Sequence, residues 1–315
     1  KSRLQEDKFK RLFLKIMEES GITPFETQIQ LPDPQIRSSI INFSFLNSQK
    51  EKLLSDFNKK RPFHYVVIDN FLNKSCAENL LKEFEDTSEW SHYCHYNEEK
   101  KALIDQNKYS KSTLEVFESL KSTAFIDFLQ HITKINNLLT GELEEEGANL
   151  TEVKGGGFLN IHSDFQSHST KKNWKRELNL LLYLNHNWKS EYNGDLEFWN
   201  KNMTECKVTT VPIFNRCVIF KTEAHTFHGH PKPLTCPKDM SRKSLILYYF
   251  TKKEKTIQAR PTDYRARPHD STRKKILIRL DSFLVKSFTY LKRAKILSDM
   301  RAGAPLKLIN KIFKS

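Results

Sequence analysis

The sequence lacks the features that would place it in a membrane or in a disulfide-stabilised class. No run of about 18 or more apolar residues occurs, so a membrane-spanning helix is not expected. Its five cysteines are odd in number, widely spaced and without a CxxC pair, which argues against a disulfide framework or a zinc site. No internal repeat is present. Reduced cysteines are typical of a reducing compartment, so we expect a cytoplasmic protein.

Acidic residues are scarce only near the carboxyl terminus. From Thr251 to Ser315 there are 18 lysines and arginines but 5 Asp and Glu, whereas residues 1–250 carry 34 basic and 33 acidic side chains. The formal net charge of +14 therefore belongs almost wholly to this tail. The hydrophobic fraction of 38% is adequate for a packed core.

Apolar periodicity predicts helices in the amino-terminal part and strands in the centre. Residues 9–17 and 46–57 have helical spacing, residues 62–72 form an apolar strand-like segment, and residues 91–147 are predicted to be mostly helical and polar. After Thr151 come strand-like segments at 177–185, 194–199, 207–210, 215–221 and 242–250. Short strands joined by turns, with helices outside, predict an α+β fold with a double-stranded β-helix core, a cupin-like jelly roll.

Three regions follow from these patterns. Residues 1–60 form a predicted helical segment that supports the core, residues 61–250 form a strand-rich domain, and residues 251–315 form a basic, mostly helical extension. We expect the jelly roll to lie in the middle region.

One tripeptide carries metal-binding chemistry. His162 and Asp164 are two residues apart, so on a strand both side chains project from the same face and Ser163 points away. Two imidazoles and one carboxylate are the ligand set of a three-point iron(II) site with open coordination positions. His225, His228 and His230 all follow at a distance and are candidates for the third ligand.

The chain resembles the prolyl-hydroxylase-like iron(II)/2-oxoglutarate dioxygenases from about Pro62 to Phe250. The pieces that carry the resemblance, after His162 and Asp164, are Leu181-Leu182-Tyr183-Leu184-Asn185, Gly194-Asp195-Leu196-Glu197-Phe198, Asn215-Arg216-Cys217-Val218-Ile219-Phe220, Phe227-His228-Gly229 and Ser241-Arg242-Lys243-Ser244-Leu245. The chain departs from the family pattern in two places. Asp195 stands where the family has a second glycine, and the loop from His228 to Arg242 is slightly long.

The resemblance implies roles for individual residues. His162, Asp164 and His228 would hold iron, with His228 favoured over its two competitors by its aromatic-His-Gly context. Arg242 would pair with the distal carboxylate of 2-oxoglutarate. Ser244 and Tyr183 would assist, and Asn179 would line the pocket. The implied cofactors are iron(II), 2-oxoglutarate and O2, with ascorbate as a further candidate.

The implied reaction is hydroxylation of an aliphatic C–H, most simply of a peptidyl proline or a related metabolite. Asp164 argues against halogenation, because the halogenating relatives lack this carboxylate. The alternative is a non-catalytic binding module that uses the jelly roll as a scaffold and the basic tail to bind an anionic surface or nucleic acid.

The basic tail contains a predicted amphipathic helix. Its apolar stripe consists of Ile276, Leu277, Leu280, Phe283, Leu284, Phe288 and Leu291. Such a helix can lie on an anionic membrane surface, face an acidic partner or dock on the catalytic domain. Nucleic acid is a less favoured partner, because few aromatic residues accompany the charge. Since every predicted ligand lies before Phe250, we expect the tail to be dispensable for iron and 2-oxoglutarate binding.

Overall fold

A computed structural model describes residues 40–59, 61–86, 90–141, 148–168, 170–258 and 260–293. The predicted helix at residues 9–17 lies outside these ranges. The helices are α1 (Phe43–Ser48), α2 (Lys50–Lys59), α3 (Lys74–Asp86), α4 (Lys111–Lys121), α5 (Thr123–Thr133) and α6 (Thr272–Arg293). The predicted helix at 46–57 thus forms as two helices, which meet at Gln49.

Antiparallel strands make up most of the catalytic region. They are β1 (Tyr65–Ile68), β2 (Ser91–His95), β3 (Glu98–Leu103), β4 (Leu138–Thr140), β5 (Ala148–Lys154), β6 (Phe158–Ser163), β7 (Trp174–Tyr183), β8 (Leu196–Trp199), β9 (Cys206–Thr210), β10 (Arg216–Lys221), β11 (Phe227–His230), β12 (Ser241–Lys252) and β13 (Asp263–Tyr264). The five strands predicted after residue 177 correspond to β7, β8, β9, β10 and β12.

The strand order describes a sheet that curls over on itself. One half runs β1-β10-β7-β12-β5 and the other β6-β11-β8-β9, and β3 pairs with both β5 and β6 and so joins the halves. The helices α1 to α5 contribute to a large core against the first half. This arrangement is the predicted α+β fold with a jelly-roll core.

Strand β7 shows how the core and the interior of the roll are separated. Leu178, Leu180 and Leu182 lie in the core shared with the helices, whereas Tyr183 packs inside the roll with Phe198. Successive side chains on a strand point to opposite faces, so these three leucines face the helices, whereas Asn179, Leu181 and Tyr183 face the interior of the roll. Each fully buried leucine contributes about 1.5–3 kcal/mol.

Residues 91–103 differ from the predicted helix and form the β2–β3 hairpin. Its strands pair from Ser91 opposite Ala102 to His95 opposite Glu98. Beyond the hairpin, β3 places Lys101 opposite Glu152 and Glu98 opposite Leu159. The charged residues of this segment therefore lie on a strand that joins the two halves of the sheet. Tertiary pairing overrides the helical propensity of the segment.

The basic tail is part of the fold. Strand β13 places Tyr264 opposite His162, so the sheet extends past residue 250. Helix α6 follows and docks through Ile278, Asp281 and Ser282, which are almost fully buried. Asn97 donates hydrogen bonds to the Ile278 carbonyl and to Asp281, at 3.3 and 2.5 Å. The described part of the tail, up to residue 293, thus docks on the catalytic domain.

The docked face of α6 is not the predicted apolar stripe. Ile276, Leu280 and Phe283 belong to that stripe, and they are 52%, 47% and 67% exposed. In the described part of the chain, no helix is both long and apolar enough to cross a membrane. All five cysteines are free, as their spacing predicted. The cytoplasmic location stays a prediction.

Candidate active site

Neighbouring strands bring three ligand-type side chains together. His162 lies near the end of β6, Asp164 follows that strand, and His228 lies opposite His162 on β11. One ligand atom from each residue lies within 4.8 Å of the other two. The Nε2 atoms of His162 and His228 are 3.6 and 3.4 Å from the Asp164 carboxylate oxygens. All three residues are buried.

Both histidines are oriented by the main chain. The Nδ1 of His162 donates to the Asn160 carbonyl at 2.9 Å, and the Nδ1 of His228 donates to the Thr226 carbonyl at 3.0 Å. A proton on Nδ1 leaves the Nε2 lone pair directed at the site, which is how metal-binding histidines are usually held. Burial lowers the pKa of His228 to about 4, so its imidazole is neutral near pH 7.

A glycine permits the close approach of β11 to β6. A Cβ atom on Gly229 would lie 2.8 Å from the Leu159 carbonyl oxygen and 2.9 Å from that of Asn160. Both contacts are with backbone atoms, which cannot move aside cheaply. The glycine in the Phe227-His228-Gly229 motif therefore allows His228 to reach the site.

The Asp164 carboxylate is supported by a buried polar network. Asn179 donates to its Oδ2 at 2.6 Å, and the Nη2 of Arg176 lies 3.2 Å from the same oxygen. Arg176 also donates to Asn179 through Nε and lies over the Tyr248 ring. Burial acts to raise the pKa of Asp164, but the positive charge of Arg176, together with interactions with His228 and His162, holds it well below its usual range. The carboxylate is ionised and aimed at the histidines.

Of the three candidates for the third ligand, only His228 joins this cluster. Among the described residues, the group able to hold a metal consists of His162, Asp164 and His228. His225 is exposed on the loop before β11. His230 is buried on β11, and its Nδ1 has no hydrogen-bond partner within the described ranges.

The predicted cosubstrate residues lie on adjacent strands inside the roll. Arg242 of β12 donates through Nε to the Gly194 carbonyl at 2.8 Å and through Nη2 to the Tyr183 hydroxyl at 3.2 Å. Ser244, two residues along the same face, is buried and lies opposite Tyr183. Burial raises the pKa of Tyr183, so its hydroxyl keeps a proton to donate. Asn179 donates to Asp164, and its role in lining this pocket stays a prediction.

The departure at Asp195 places a carboxylate near the same arginine. Burial raises the pKa of Asp195, and the charge of Arg242 acts in the opposite direction. Its Oδ1 is buried without a hydrogen-bond partner among the described residues. The preceding Gly194 has a φ of +83°, and a Cβ there would lie 3.1 Å from the Arg242 Cδ. The chain therefore retains Gly194, which lies against Arg242, and has Asp195 at the position of the family's second glycine.

Two site residues were missed by the sequence analysis. Arg176 lies near the start of β7 and is buried. An arginine within a largely apolar strand is the sequence signal that could have identified it. Tyr264 lies in the tail, with its ring 5.5 Å from that of His162. No local pattern indicates this position, because β13 has only two residues and is defined by its pairing.

Comparison with known proteins agrees with this geometry. Residues 148–250 match the model of the 2OG-Fe(II) oxygenase superfamily. This segment is a 2OG-Fe(II) oxygenase domain. It contains the histidine pair, Asp164 and Arg242, and it ends where the predicted catalytic region ends. No curated protein matches the chain in sequence.

Several solved structures are similar to the chain. A prolyl hydroxylase from Trichoplax adhaerens, in complex with a hypoxia inducible factor oxygen degradation domain peptide fragment, is 20% identical with a TM-score of 0.49 over 66% of this chain and 93% of its own. A prolyl-4-hydroxylase of Pseudomonas putida is 15% identical with a TM-score of 0.46 over 64% and 99%. HygX from Streptomyces hygroscopicus, with nickel and 2-oxoglutarate bound, is 10% identical with a TM-score of 0.46 over 65% and 88%.

The oxygenase domain defines the enzyme class. The chain is a 2-oxoglutarate-dependent dioxygenase that uses iron(II), 2-oxoglutarate and O2, as predicted. The alternative of a non-catalytic binding module is not favoured. The donor set fits the metal, since two imidazoles and one carboxylate converge on one point from buried, hydrogen-bonded positions.

Proposed function

We propose that this dioxygenase hydroxylates an aliphatic C–H group at a metal centre held by His162, Asp164 and His228. The observation that carries the proposal is the convergence of their ligand atoms within 4.8 Å inside the jelly roll. Three protein ligands of this type leave coordination positions open for cosubstrate and oxygen. When bound, iron(II), 2-oxoglutarate and O2 would supply the oxidising chemistry, in which 2-oxoglutarate is converted to succinate and CO2, and one oxygen atom of O2 enters succinate while the other enters the hydroxyl group of the substrate.

The residues inside the roll would position the cosubstrate. Arg242 is already oriented by its hydrogen bonds to Gly194 and Tyr183, so little reorganisation is needed when a dicarboxylate arrives. Its planar guanidinium suits a carboxylate, and Tyr183 can donate a further hydrogen bond. Ser244 is close enough in register to assist. Burial of these groups excludes water and strengthens each polar contact.

The substrate we favour is a peptidyl proline or a related metabolite. Support comes from the motifs shared with prolyl-hydroxylase-like enzymes, which run in the same order from His162 to Ser244. The presence of Asp164 as a third ligand supports hydroxylation over halogenation, because a halide would need its coordination position.

The first experiment measures succinate from purified protein supplied with iron(II) and 2-oxoglutarate, with and without ascorbate, while candidate substrates are screened for the gain of one oxygen atom. A second measures Mn(II) binding by calorimetry. His228→Ala should abolish tight Mn(II) binding, and His230→Ala should retain it. The reverse result would show that the third ligand is wrongly assigned, and no succinate with any substrate class would contradict the proposed function.

A further inference from the structure

A groove of about 700 Å³ lies between helix α6, strand β13 and the loops that precede β9 and β11. Met203, Phe227 and Phe283 contribute apolar surface. Six of the lining residues are lysines or arginines and one carries a carboxylate, Asp263. The six are Lys201, Arg265, Arg267, Lys275, Arg279 and Lys286. The groove is therefore strongly cationic.

Its positive charge is only partly neutralised. Asp263 is shared by two cations, Arg265 at 2.7 Å and Lys286 at 2.5 Å. Lys201 and Arg279 form no ion pair with any residue in the described ranges. One carboxylate cannot balance these four charges, so the surface retains a positive potential and attracts anions.

His225 lies at the edge of the groove, and nearby cations affect its pKa. Burial lowers the pKa of His225, and the charges of Lys201, Arg260 and Arg265 lower it further. These three cations come from different parts of the chain, namely the loop after β8, the segment before β13 and the residue after it. They therefore surround one place on the surface instead of following one element.

Arg260 connects this cationic surface with the metal centre. Its carbonyl accepts a hydrogen bond from the backbone N–H of Gln166, two residues after Asp164. The charge of Asp164 acts on the Arg260 guanidinium, as do those of Asp263 and Glu223. The Nε and Nη2 of Arg260 are buried, and neither has a hydrogen-bond partner in the described part of the chain.

These two nitrogen atoms lie on one edge of the planar guanidinium. Their N–H bonds are parallel and match the two oxygen atoms of a carboxylate. A buried donor left without a partner costs about 1–3 kcal/mol, and a charged one costs more. The arrangement is therefore what a site for an anionic ligand needs, because the ligand would supply the missing acceptors.

We propose that the surface formed by Arg260, Lys201, Arg265 and Arg279 binds an acidic segment of a protein substrate, and that Arg260 holds one of its carboxylates beside the metal centre. The inference rests on the proposed hydroxylation, since it names the substrate class of the same site. Arg260 would then be a specificity residue, because it would select substrates that carry a carboxylate near the reacting C–H.

The lining residues favour a peptide over other anions. Single-stranded nucleic acid is bound by stacking on exposed aromatic rings. Of the aromatic residues in the groove, Phe227 and Tyr264 are buried and only Phe283 is exposed. A membrane surface is contacted by a face that can lie flat on it, whereas Lys201, Arg265 and Arg279 line a concavity. An acidic chain segment fits both observations.

The test measures binding of fluorescent peptides to the full chain by anisotropy. Two peptides of equal length share a central proline; one carries several Asp and Glu residues, and the other has Asn and Gln in their place. We expect the acidic peptide to bind at least about tenfold more tightly. The difference should shrink with salt, because the screening length falls from about 10 Å at 0.1 M to about 3 Å at 1 M. Equal affinities at low salt would overturn the proposal.

Paired variants locate the surface. The double variant Lys201→Gln/Arg279→Gln should weaken binding of the acidic peptide about three- to tenfold. The matched control Lys52→Gln/Lys59→Gln removes two exposed charges from helix α2 and should leave that affinity unchanged. The proposal fails if both doubles weaken binding equally. The same measurements are made with a single-stranded RNA and with phosphatidylserine vesicles. The proposal also fails if either binds the wild type more tightly than the acidic peptide and loses affinity in Lys201→Gln/Arg279→Gln but not in the control.

Arg260 is tested separately. Arg260→Gln should weaken the acidic peptide at least about tenfold and leave the affinities for Mn(II) and 2-oxoglutarate unchanged. Arg260→Lys keeps the charge but not the fork, so it should recover only part of the loss. Wild-type peptide affinity in Arg260→Gln, or an equal loss of 2-oxoglutarate affinity, would overturn its assigned role.

The two levels of the argument fail in different ways. If charge-dependent peptide binding holds but no succinate forms with any substrate, the surface is correct and the proposed hydroxylation is not. If succinate forms with a substrate while acidic and neutral peptides bind alike, the hydroxylation stands and the acidic substrate class is wrong.

Discussion

Arg242 is the side chain on which the proposed cosubstrate binding would depend most. It is buried, and its guanidinium is the cation oriented toward the interior by Gly194 and Tyr183. Removing one partner of a buried charged hydrogen bond costs about 2–5 kcal/mol. Arg242→Ala should therefore raise the dissociation constant for 2-oxoglutarate about 30-fold or more. Calorimetry with Mn(II)-loaded protein measures this. The neighbouring Lys243→Ala is the control and should bind 2-oxoglutarate normally. If Lys243→Ala bound it weakly and Arg242→Ala bound it normally, Lys243 and not Arg242 would hold the cosubstrate.

Asp195 should weaken cosubstrate binding in the wild type. Its carboxylate acts on Arg242 and carries the same charge as the carboxylate that the arginine would receive. We expect both Asp195→Asn and Asp195→Gly to bind 2-oxoglutarate more tightly, by about three- to tenfold, since a like charge close to the ligand is removed. Asp239→Asn, on an exposed loop, serves as the control. Weaker binding in Asp195→Asn would mean that Asp195 positions Arg242 instead of competing for it.

The three residues proposed as metal ligands were predictable because each lies in a recognisable local pattern. A two-residue spacing places His162 and Asp164 on one face whatever the rest of the fold does. The residues that support these side chains could not be predicted in the same way. Arg176 contacts Asp164 because β7 and the end of β6 face each other across the roll, and sequence spacing carries no information on that distance.

At the scale of elements, strand β7 supplies both halves of the site. Asn179 on this strand donates to Asp164, and Tyr183 accepts from Arg242. Loss of a residue that orients a metal ligand typically costs 10- to 100-fold, or about 1.4–2.7 kcal/mol, in metal affinity. Asn179→Ala should therefore weaken Mn(II) binding by this factor. Asn173→Ala, just before β7, is the matched control, and equal Mn(II) affinity in both variants would contradict the prediction.

The β2–β3 hairpin shows where local patterns fail. The run Glu98-Glu99-Lys100-Lys101 has the composition of a solvated helix, yet Glu98 is buried and pairs with Lys100 at 2.9 Å. Strands of this kind form through long-range pairing, here of β3 with β5 and β6. Since the partners lie about 50 residues further along the chain, no window around residue 98 contains the information.

At the scale of the whole molecule, a buried ion pair joins helix α6 to the catalytic sheet. His95 donates to Asp281 at 2.8 Å, and its Nε2 lies 3.2 Å from Glu98. Burial acts to lower the pKa of His95, but the hydrogen bonds to Asp281 and Glu98 raise it to about 9. The folded-state pKa thus exceeds the ordinary value of about 6.5. The stabilisation is fully present below pH 6.5 and is lost as the pH rises through about 9.

We therefore expect the free energy of unfolding of the wild type to fall across this pH range. The loss should be on the order of 3 kcal/mol, because the pKa of His95 rises from 6.5 to about 9 and each whole-number difference in pKa corresponds to about 1.4 kcal/mol. Urea unfolding on either side of the range measures it. His95→Gln should flatten the dependence, whereas His131→Gln, on the surface of α5, should keep it. An unchanged slope in His95→Gln would contradict the assignment.

Because the tail docks on the catalytic domain up to residue 293, truncation after Phe250 should affect both stability and metal binding. Cutting after Phe250 removes β13, which pairs with the strand that carries His162, and α6, which holds Asp281 against His95 and Asn97. Breaking a buried pair by removing one partner costs about 3–5 kcal/mol, a large part of the stability of a domain. The shortened chain should melt at a much lower temperature and bind Mn(II) weakly. A chain ending at Arg293 retains every contact named here and is the control. Wild-type melting and Mn(II) affinity in the shorter chain would restore the original expectation that the tail and the metal centre are separable.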